Sequence, residues 1–181
     1  AETCNVYNMI KMARLLFALQ PDVAYADFHE RALFNHILGS IDPGDGRTCY
    51  MVPVGQGVTR EYQRMTRDFT CCVGSGMESH ALHADGIYFE AGDRLWVNLY
   101  APSTADWKAA GVRLETSTTF PDGDAASIVL TAASPKAFTL ALRRPAWAGD
   151  GFAVTVNGVA QTALPAPGSY VEISRTWRTG D

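Results

Sequence analysis

The hydrophobic period of this chain changes near Gly86, and that change divides the sequence into two kinds of structure. Before Gly86, apolar residues recur at three- and four-residue spacing, as the buried face of a helix requires. After it, short apolar runs alternate with polar residues and are separated by frequent turn residues, which is typical of an antiparallel β-sandwich. The sequence therefore predicts an α+β chain with a boundary near residue 86.

The first part is predicted to be helical. Asp22 is the expected N-cap of the second helix. The first helix is marked by an apolar stripe of Val6, Met9, Ile10, Ala13, Leu16 and Phe17. Residues 40–70 are rich in turn residues and predict a long irregular connection, and loops of that length are often functional. The three predicted helices span residues 5–19, 23–38 and 76–84.

The second part is predicted to be a set of short strands. Asn157-Gly158 is a strong signal for a type I′ turn between two of them. The predicted elements are a hairpin over residues 87–100 and strands over residues 112–118, 127–132, 137–142, 152–156 and 170–173.

Composition limits the partners that this chain can have. The net charge is −4 and there is no block of Lys or Arg, which disfavours nucleic acid and anionic membrane surfaces. No apolar run approaches the length of a membrane span. We expect the chain to be a fragment of a longer protein, and its sequence indicates neither a compartment nor an oligomeric state.

The chemistry of the chain centres on cysteine. Cys71-Cys72, together with Glu2 and Cys4, supplies three thiols and a carboxylate, enough to ligate one tetrahedral zinc ion. Adjacent cysteines rarely bond to each other, and the low cysteine density argues against a disulfide framework. Glu2 and Cys4 are two positions apart and could both be aimed inward at a helix entry, whereas the adjacent Cys71 and Cys72 could meet one ion only from irregular backbone. On spacing alone, buried structural thiols remain the alternative.

Four stretches resemble the cysteine-dependent β-L-arabinofuranosidases of glycoside hydrolase families 127 and 146. They span residues 2–9, 25–36, 71–80 and 143–147. This resemblance implies that residues 1–86 are the C-terminal helices of an (α/α)6 toroidal catalytic barrel. It also implies that residues 87–181 form an attached β-sandwich, incomplete at its C-terminus. The implied reaction is removal of terminal β-L-arabinofuranosyl groups with retention of configuration.

The resemblance also implies roles for individual residues. Cys71 would be the nucleophile, a role that a carboxylate has in most retaining glycosidases. Glu30, Tyr50 and His80 would contact the sugar of an arabinofuranosyl-containing oligosaccharide or glycoprotein glycan. The acid/base glutamate of the family precedes the Glu-x-Cys motif, so we expect this chain alone to be inactive. The implied zinc ligands are Glu2, Cys4, Cys71 and Cys72.

Two other functions fit the same cysteines. A non-catalytic, zinc-stabilised carbohydrate-binding module would need the same closed set of four ligands. A redox dithiol at Cys71-Cys72 would lack the usual C-x-x-C spacing. Several further residues are predicted to be structural, namely Cys49 as a buried thiol, Glu78 as a surface carboxylate, His83 as a packing residue and Trp147 as a core residue.

Overall fold

The computed structural model describes residues 1–64 and 66–181, and it divides into two units, Ala1–His83 and Ala84–Asp181. The first unit is helical and the second is built of strands, which confirms the mixed α+β prediction. No helix among the described residues is long and apolar enough to cross a membrane.

The helices begin and end close to the predicted positions, with two exceptions, the start of the last helix and the end of the second, which was predicted at residue 38 and lies at Ala32. Asp22 caps the second helix by accepting a hydrogen bond from the backbone N–H of Ala24 at 2.9 Å, as predicted. The last helix begins at Cys71, not at residue 76, so the paired cysteines lie inside its first turn. The elements are α1 (Thr3–Leu19), α2 (Val23–Ala32), a π-helical turn (Leu33–Ile37), a 3₁₀ turn (Leu38–Ser40) and α3 (Cys71–Ala81).

The buried face of α1 matches the predicted stripe in part. Ile10, Ala13 and Phe17 are buried as predicted, whereas Met9 and Leu16 are 40% and 36% exposed, so their predicted burial was wrong. Apolar residues occur on more than one face of this helix, and the pattern alone could not select the face that packs against α2 and α3. The buried positions are Thr3, Tyr7, Ile10, Ala13 and Phe17.

The connection between the 3₁₀ turn and α3 is irregular, as predicted. It is held by isolated backbone bridges and not by regular sheet: Ile41 pairs with Thr48, and Cys49 pairs with Tyr62. A third bridge joins Met51 to Glu2, at the start of α1. The connection therefore runs back over the N-terminus of α1, which places it beside the sequence motif that precedes that helix.

The strand unit contains the predicted hairpin and most of the predicted strands. Asn157 and Gly158 have φ values of 52° and 79°, the positive pair that a type I′ turn requires. The strand Ser103–Trp107 was missed, and residues 152–154 were wrongly predicted to be strand. The strands are β1 (Tyr88–Ala91), β2 (Arg94–Val97), β3 (Ser103–Trp107), β4 (Val112–Thr118), β5 (Ala126–Ala132), β6 (Lys136–Arg144), β7 (Thr155–Val156), β8 (Val159–Ala160) and β9 (Ser169–Trp177).

The sheet order corrects the expectation of purely antiparallel pairing. One sheet has the order β1-β2-β6-β9, a second has β3-β4-β5, and β7 pairs with β8. Within the first sheet, β2 and β6 are parallel, with Arg94 opposite Thr139. Parallel pairing needs a crossover connection, and here the antiparallel β3-β4-β5 sheet provides it between the two strands.

The core of the strand unit lies among apolar side chains of both larger sheets. Leu114 on β4 and Leu130 on β5 are almost fully buried. The Phe138 ring packs edge-on against Trp107, with the two ring centroids 5.3 Å apart. Trp147 does not belong to this core, contrary to prediction, because it lies in a turn after β6 and is 64% exposed.

Candidate metal and nucleophile site

Two helix N-termini bring three cysteines together. Cys4 is in the first turn of α1, and Cys71 and Cys72 are the first two residues of α3. The Sγ atoms of Cys4 and Cys71 are 3.2 Å apart, and those of Cys71 and Cys72 are 3.9 Å apart. The three sulfurs all lie within 4.8 Å of one another. The expectation of irregular backbone at Cys71 and Cys72 was wrong, because both lie in the regular helix α3. Glu2 and Cys4 do lie at a helix entry, as predicted.

The three sulfurs fit a tetrahedral zinc ion in kind and in spacing. Zinc–sulfur bonds of about 2.3 Å at tetrahedral angles imply sulfur–sulfur separations of about 3.8 Å. The two measured separations, 3.2 and 3.9 Å, lie on either side of that value. A carboxylate oxygen of Glu2 lies 3.6 Å from Cys4 Sγ, but Glu2 is not one of the three residues whose ligand atoms all lie within 4.8 Å of one another. Three sulfurs and one oxygen are a ligand set that suits this ion.

Tyr50 orients the carboxylate of Glu2. The Tyr50 hydroxyl donates a hydrogen bond to Glu2 Oε1 at 2.5 Å, while Oε2 of the same carboxylate faces Cys4. This bond to Glu2 is the main reason that the pKa of Tyr50 lies above its usual range. Glu2 precedes α1 without capping it through its side chain, so the carboxylate remains available to the cysteines.

The three thiols differ in exposure and in proton affinity. Cys71 is exposed, and a hydrogen bond donated by Cys4 is the largest cause that lowers the Cys71 pKa. Donating that bond raises the pKa of Cys4 to about 12. Cys72 is fully buried, and burial is the main cause that raises its pKa. In the metal-free protein, negative charge is therefore most stable on Cys71.

A short segment, residues 48–51, holds both helix starts in place. The Thr48 hydroxyl donates a hydrogen bond to the carbonyl of Cys72 at 3.3 Å, and the Cys72 thiol donates one to the carbonyl of Tyr50 at 3.3 Å. On the other side, the buried Thr3 hydroxyl donates to the carbonyl of Cys49 at 3.0 Å. The same segment is thus tied to α1 and to α3.

Sequence reasoning missed Thr3 and Thr48, and it missed the packing role of Gly76, which it had considered only as a source of backbone freedom. A Cβ atom on Gly76 would lie 2.5 Å from the Thr48 methyl carbon, so only glycine lets α3 approach the 48–51 segment. Gly74, two residues earlier, has open space at the corresponding position. The position of Thr3 between Glu2 and Cys4 is a signal that could have been used, whereas Thr48 has no motif around it.

The predicted sugar-contacting residues occupy different places. Tyr50 lies beside the cysteines, as its bond to Glu2 shows. Glu30 is buried in α2, and among the described residues neither Glu30 nor His80 belongs to the group of close metal-ligating atoms. His80 Nδ1 lies 2.9 Å from His83 Nε2, and burial lowers the pKa of both rings.

The residues predicted to be structural lie apart from this group. Glu78 is exposed on α3, and Cys49 is fully buried, with burial as the main cause that raises its pKa.

The fold matches solved structures of glycoside hydrolases. Over 99% of its length, the chain is similar to a GH127 β-L-arabinofuranosidase from Geobacillus stearothermophilus T6, with a TM-score of 0.83 and 27% identity. A structure described as a glycoside hydrolase matches 99% of the chain with a TM-score of 0.81 and 25% identity. A GH127 β-arabinofuranosidase, matched over 99% of the chain at 23% identity and a TM-score of 0.77, has the same fold. The chain spans 30%, 31% and 31% of these three proteins. No curated protein sequence matches it.

Two family models match consecutive parts of the chain. Residues 1–85 match the catalytic domain of β-L-arabinofuranosidase, GH127, and residues 94–181 match the middle domain of the same family. The two matches leave only residues 86–93 uncovered between them. With the structural similarity, they establish that this chain belongs to the GH127 β-L-arabinofuranosidase family.

Proposed function

We propose that this chain supplies the nucleophile and a zinc site to a retaining glycoside hydrolase that removes terminal β-L-arabinofuranosyl groups. The observation that carries the proposal is the convergence of Cys4, Cys71 and Cys72 at two helix N-termini, in a chain of the GH127 family. The proposed substrate is an arabinofuranosyl-containing oligosaccharide or glycoprotein glycan.

The proposed zinc ligands are Glu2, Cys4, Cys71 and Cys72. The mutual distances of the three sulfurs, all within 4.8 Å, support the cysteines, and the distance of 3.6 Å between Glu2 Oε2 and Cys4 Sγ supports Glu2. When bound, zinc would keep the ligating thiols deprotonated. Tyr50 supports this set because its hydroxyl fixes one oxygen of Glu2 and leaves the other facing Cys4.

Cys71 is the proposed nucleophile because it is the sulfur that a substrate can reach. It is exposed, whereas Cys72 is fully buried and Cys4 is intermediate. Its position at the first residue of α3 also favours the anionic form through the helix dipole. The sulfur would attack the anomeric carbon as the glycosidic bond breaks, and water would then hydrolyse the thioglycosyl intermediate.

The remaining roles rest on the family resemblance. We propose Glu30, Tyr50 and His80 as sugar contacts, with Tyr50 supported by its place beside Glu2. The proton for the leaving group would come from a glutamate that precedes Glu2 in the longer protein. The chain alone should therefore accept a reactive sugar on Cys71 without turning over a glycoside.

We also propose the larger architecture that the family implies. Residues 1–86 would contribute helices to an (α/α)6 toroid, and residues 87–181 would form most of a β-sandwich domain. The helical character of the first unit, and the single apolar core that strands of both larger sheets share in the second, support this assignment.

A sugar probe tests the proposed nucleophile. The zinc-loaded chain is incubated with a haloacetamide derivative of β-L-arabinofuranose, and peptide mass mapping identifies the labelled residue. We expect one label, on Cys71, which is lost in Cys71→Ser and retained in the matched control Cys49→Ser. A non-catalytic zinc module would bind one zinc ion and leave Cys71 unlabelled. Labelling of Cys49 alone, or equal labelling by a haloacetamide that carries no sugar, would also contradict the proposal.

A further inference from the structure

The contact between Cys4 and Cys71 is closer than a zinc site requires. Their sulfurs are 3.2 Å apart, below the separation of about 3.8 Å expected around a tetrahedral zinc ion. A disulfide bond is about 2.05 Å long, so the two sulfurs need to approach by only about 1.2 Å to bond. They belong to different helices and are 67 positions apart in sequence. A disulfide between them would therefore not close a small, strained ring.

The other pairs among the cysteines are less suited to bond formation. Cys71 and Cys72 are adjacent residues in the first turn of α3, where a disulfide would close a strained eight-membered ring. Cys72 is also fully buried, and its thiol is engaged with the carbonyl of Tyr50. Cys49 is fully buried and does not belong to the group of sulfurs within 4.8 Å. Cys4 and Cys71 are therefore the pair that an external oxidant can both reach and join.

We infer that Cys4 and Cys71 form a reversible disulfide in the metal-free protein, and that this bond and zinc binding exclude each other. The inference rests on the proposed function, because it assigns a redox regulation to the same site. The disulfide would use two of the three sulfurs and the proposed nucleophile itself, so oxidation would remove the metal site and the reactive group together.

The oxidant can be a small-molecule disulfide such as oxidised glutathione. The Cys71 thiolate attacks one sulfur of the oxidant, which breaks its S–S bond, forms a mixed disulfide and releases one glutathione thiolate. That thiolate takes the proton of Cys4. The Cys4 sulfur then attacks Cys71 Sγ and expels the second glutathione. Two protein thiols are oxidised by two electrons, and one disulfide is reduced to two thiols.

Zinc should protect the pair by occupying the same sulfurs. When free zinc exceeds its dissociation constant about 100-fold, the metal-free fraction falls about 100-fold, and disulfide formation should slow by the same factor. Zinc added after oxidation should bind only once a reductant has restored the thiols. The site would thus alternate between a zinc-loaded form with free thiols and a metal-free form with the Cys4–Cys71 disulfide.

Mass spectrometry of the whole chain tests the inference. The chain is treated with a chelator, equilibrated in buffers of oxidised and reduced glutathione, quenched with acid and alkylated with N-ethylmaleimide in denaturant. We expect two of the four cysteines to escape alkylation after oxidation, and all four to react after reduction. Peptide mapping should show the segments that contain Cys4 and Cys71 linked to each other.

Two variants sharpen the result. Cys4→Ser should trap glutathione on Cys71 as a stable mixed disulfide, whereas Cys49→Ser should form the same Cys4–Cys71 link as the parent chain. Four alkylated cysteines after oxidation, a stable glutathione adduct on the unmodified chain, or a link that includes Cys72 or Cys49 would overturn the inference. A link that forms equally fast with zinc present would overturn the mutual exclusion. The sugar-probe result is independent of this readout, so failure of the proposed function would be recognised separately.

Discussion

The two units of this chain owe their structure to different kinds of interaction. The strand unit is organised by an apolar core in which buried side chains of β4, β5, β6 and β9 pack together. The candidate site of the helical unit is organised by individual polar contacts. There, the 48–51 segment binds the starts of α1 and α3 through hydroxyl, thiol and carbonyl groups. In the strand unit, the free energy of unfolding that a substitution removes should depend on how buried the side chain is. At the 48–51 segment, it should depend on which individual contact the substitution breaks.

The core of the strand unit should show the largest effect. Leu130 is 2% exposed, and its neighbour Val129 on the same strand is 48% exposed. Leu130→Ala should lower the free energy of unfolding by about 3 kcal/mol, because it removes buried methyl groups and leaves a cavity. Val129→Ala should cost less than about 1 kcal/mol. Urea unfolding followed by tryptophan fluorescence measures both, since all four tryptophans lie in this unit. Equal losses for the two variants would show that burial does not govern this unit.

Zinc affinity should depend steeply on pH. In the metal-free protein the pKa of Cys4 is raised to about 12 and that of Cys72 is also raised, so both thiols carry protons near pH 7. Zinc must displace these two protons, and raising the pH therefore favours binding. These two protons alone should increase the apparent affinity by at least about 100-fold per pH unit around neutrality, or about 2.7 kcal/mol.

Competition with a chromophoric chelator at several pH values measures this dependence. As a matched control, Cys49→Ser should leave the slope unchanged, because Cys49 lies outside the group of close sulfurs. An affinity that does not change with pH would argue that the cysteines are not the ligands.

The close approach at Gly76 should give an intermediate effect. Gly76→Ala places a methyl group 2.5 Å from the Thr48 methyl carbon, and such overpacking typically costs about 2 kcal/mol. Gly74→Ala is the matched control on the same helix, where there is open space, and it should stabilise α3 by up to about 1 kcal/mol. Urea unfolding followed by circular dichroism at the helical band compares the two. If both variants were stabilising, α3 would not need its contact with Thr48.

The N-cap of α2 should give the smallest effect. Asp22→Ala removes the side chain that accepts a hydrogen bond from the Ala24 N–H, which should cost about 1 kcal/mol. Asp22→Asn keeps an acceptor and should lose only a few tenths of that amount. The same circular dichroism measurement tests the pair, and indistinguishable losses would mean that the bond contributes nothing.

The sequence was more informative about local structure than about packing. The cap at Asp22 and the turn at Asn157-Gly158 follow from the chemistry of a few neighbouring residues, and both were predicted. The parallel pairing of β2 with β6 and the buried face of α1 depend on partners distant in sequence. The pairing was predicted incorrectly, and the buried face of α1 was predicted only in part. Local patterns do not specify which distant element packs against a strand or helix.

The candidate site shows the same division. The residue types at Glu2, Cys4 and Cys71-Cys72 were enough to suggest a metal ligand set from sequence. The contacts that arrange them were not, because Thr48 lies in an irregular connection and its role depends on the approach of α3. Short polar contacts between distant segments leave no periodic signal in a single sequence.

The most direct test of the central claim is X-ray absorption at the zinc edge on the chain after loading with zinc. If the sulfurs of Cys4, Cys71 and Cys72 form one metal site with Glu2, the protein should hold one zinc ion. That ion should have three sulfur neighbours at about 2.3 Å and one oxygen neighbour at about 2.0 Å. Cys4→Ser should reduce the sulfur count by one, and Cys49→Ser should leave it unchanged. Substoichiometric zinc, or a coordination shell without sulfur, would contradict the account.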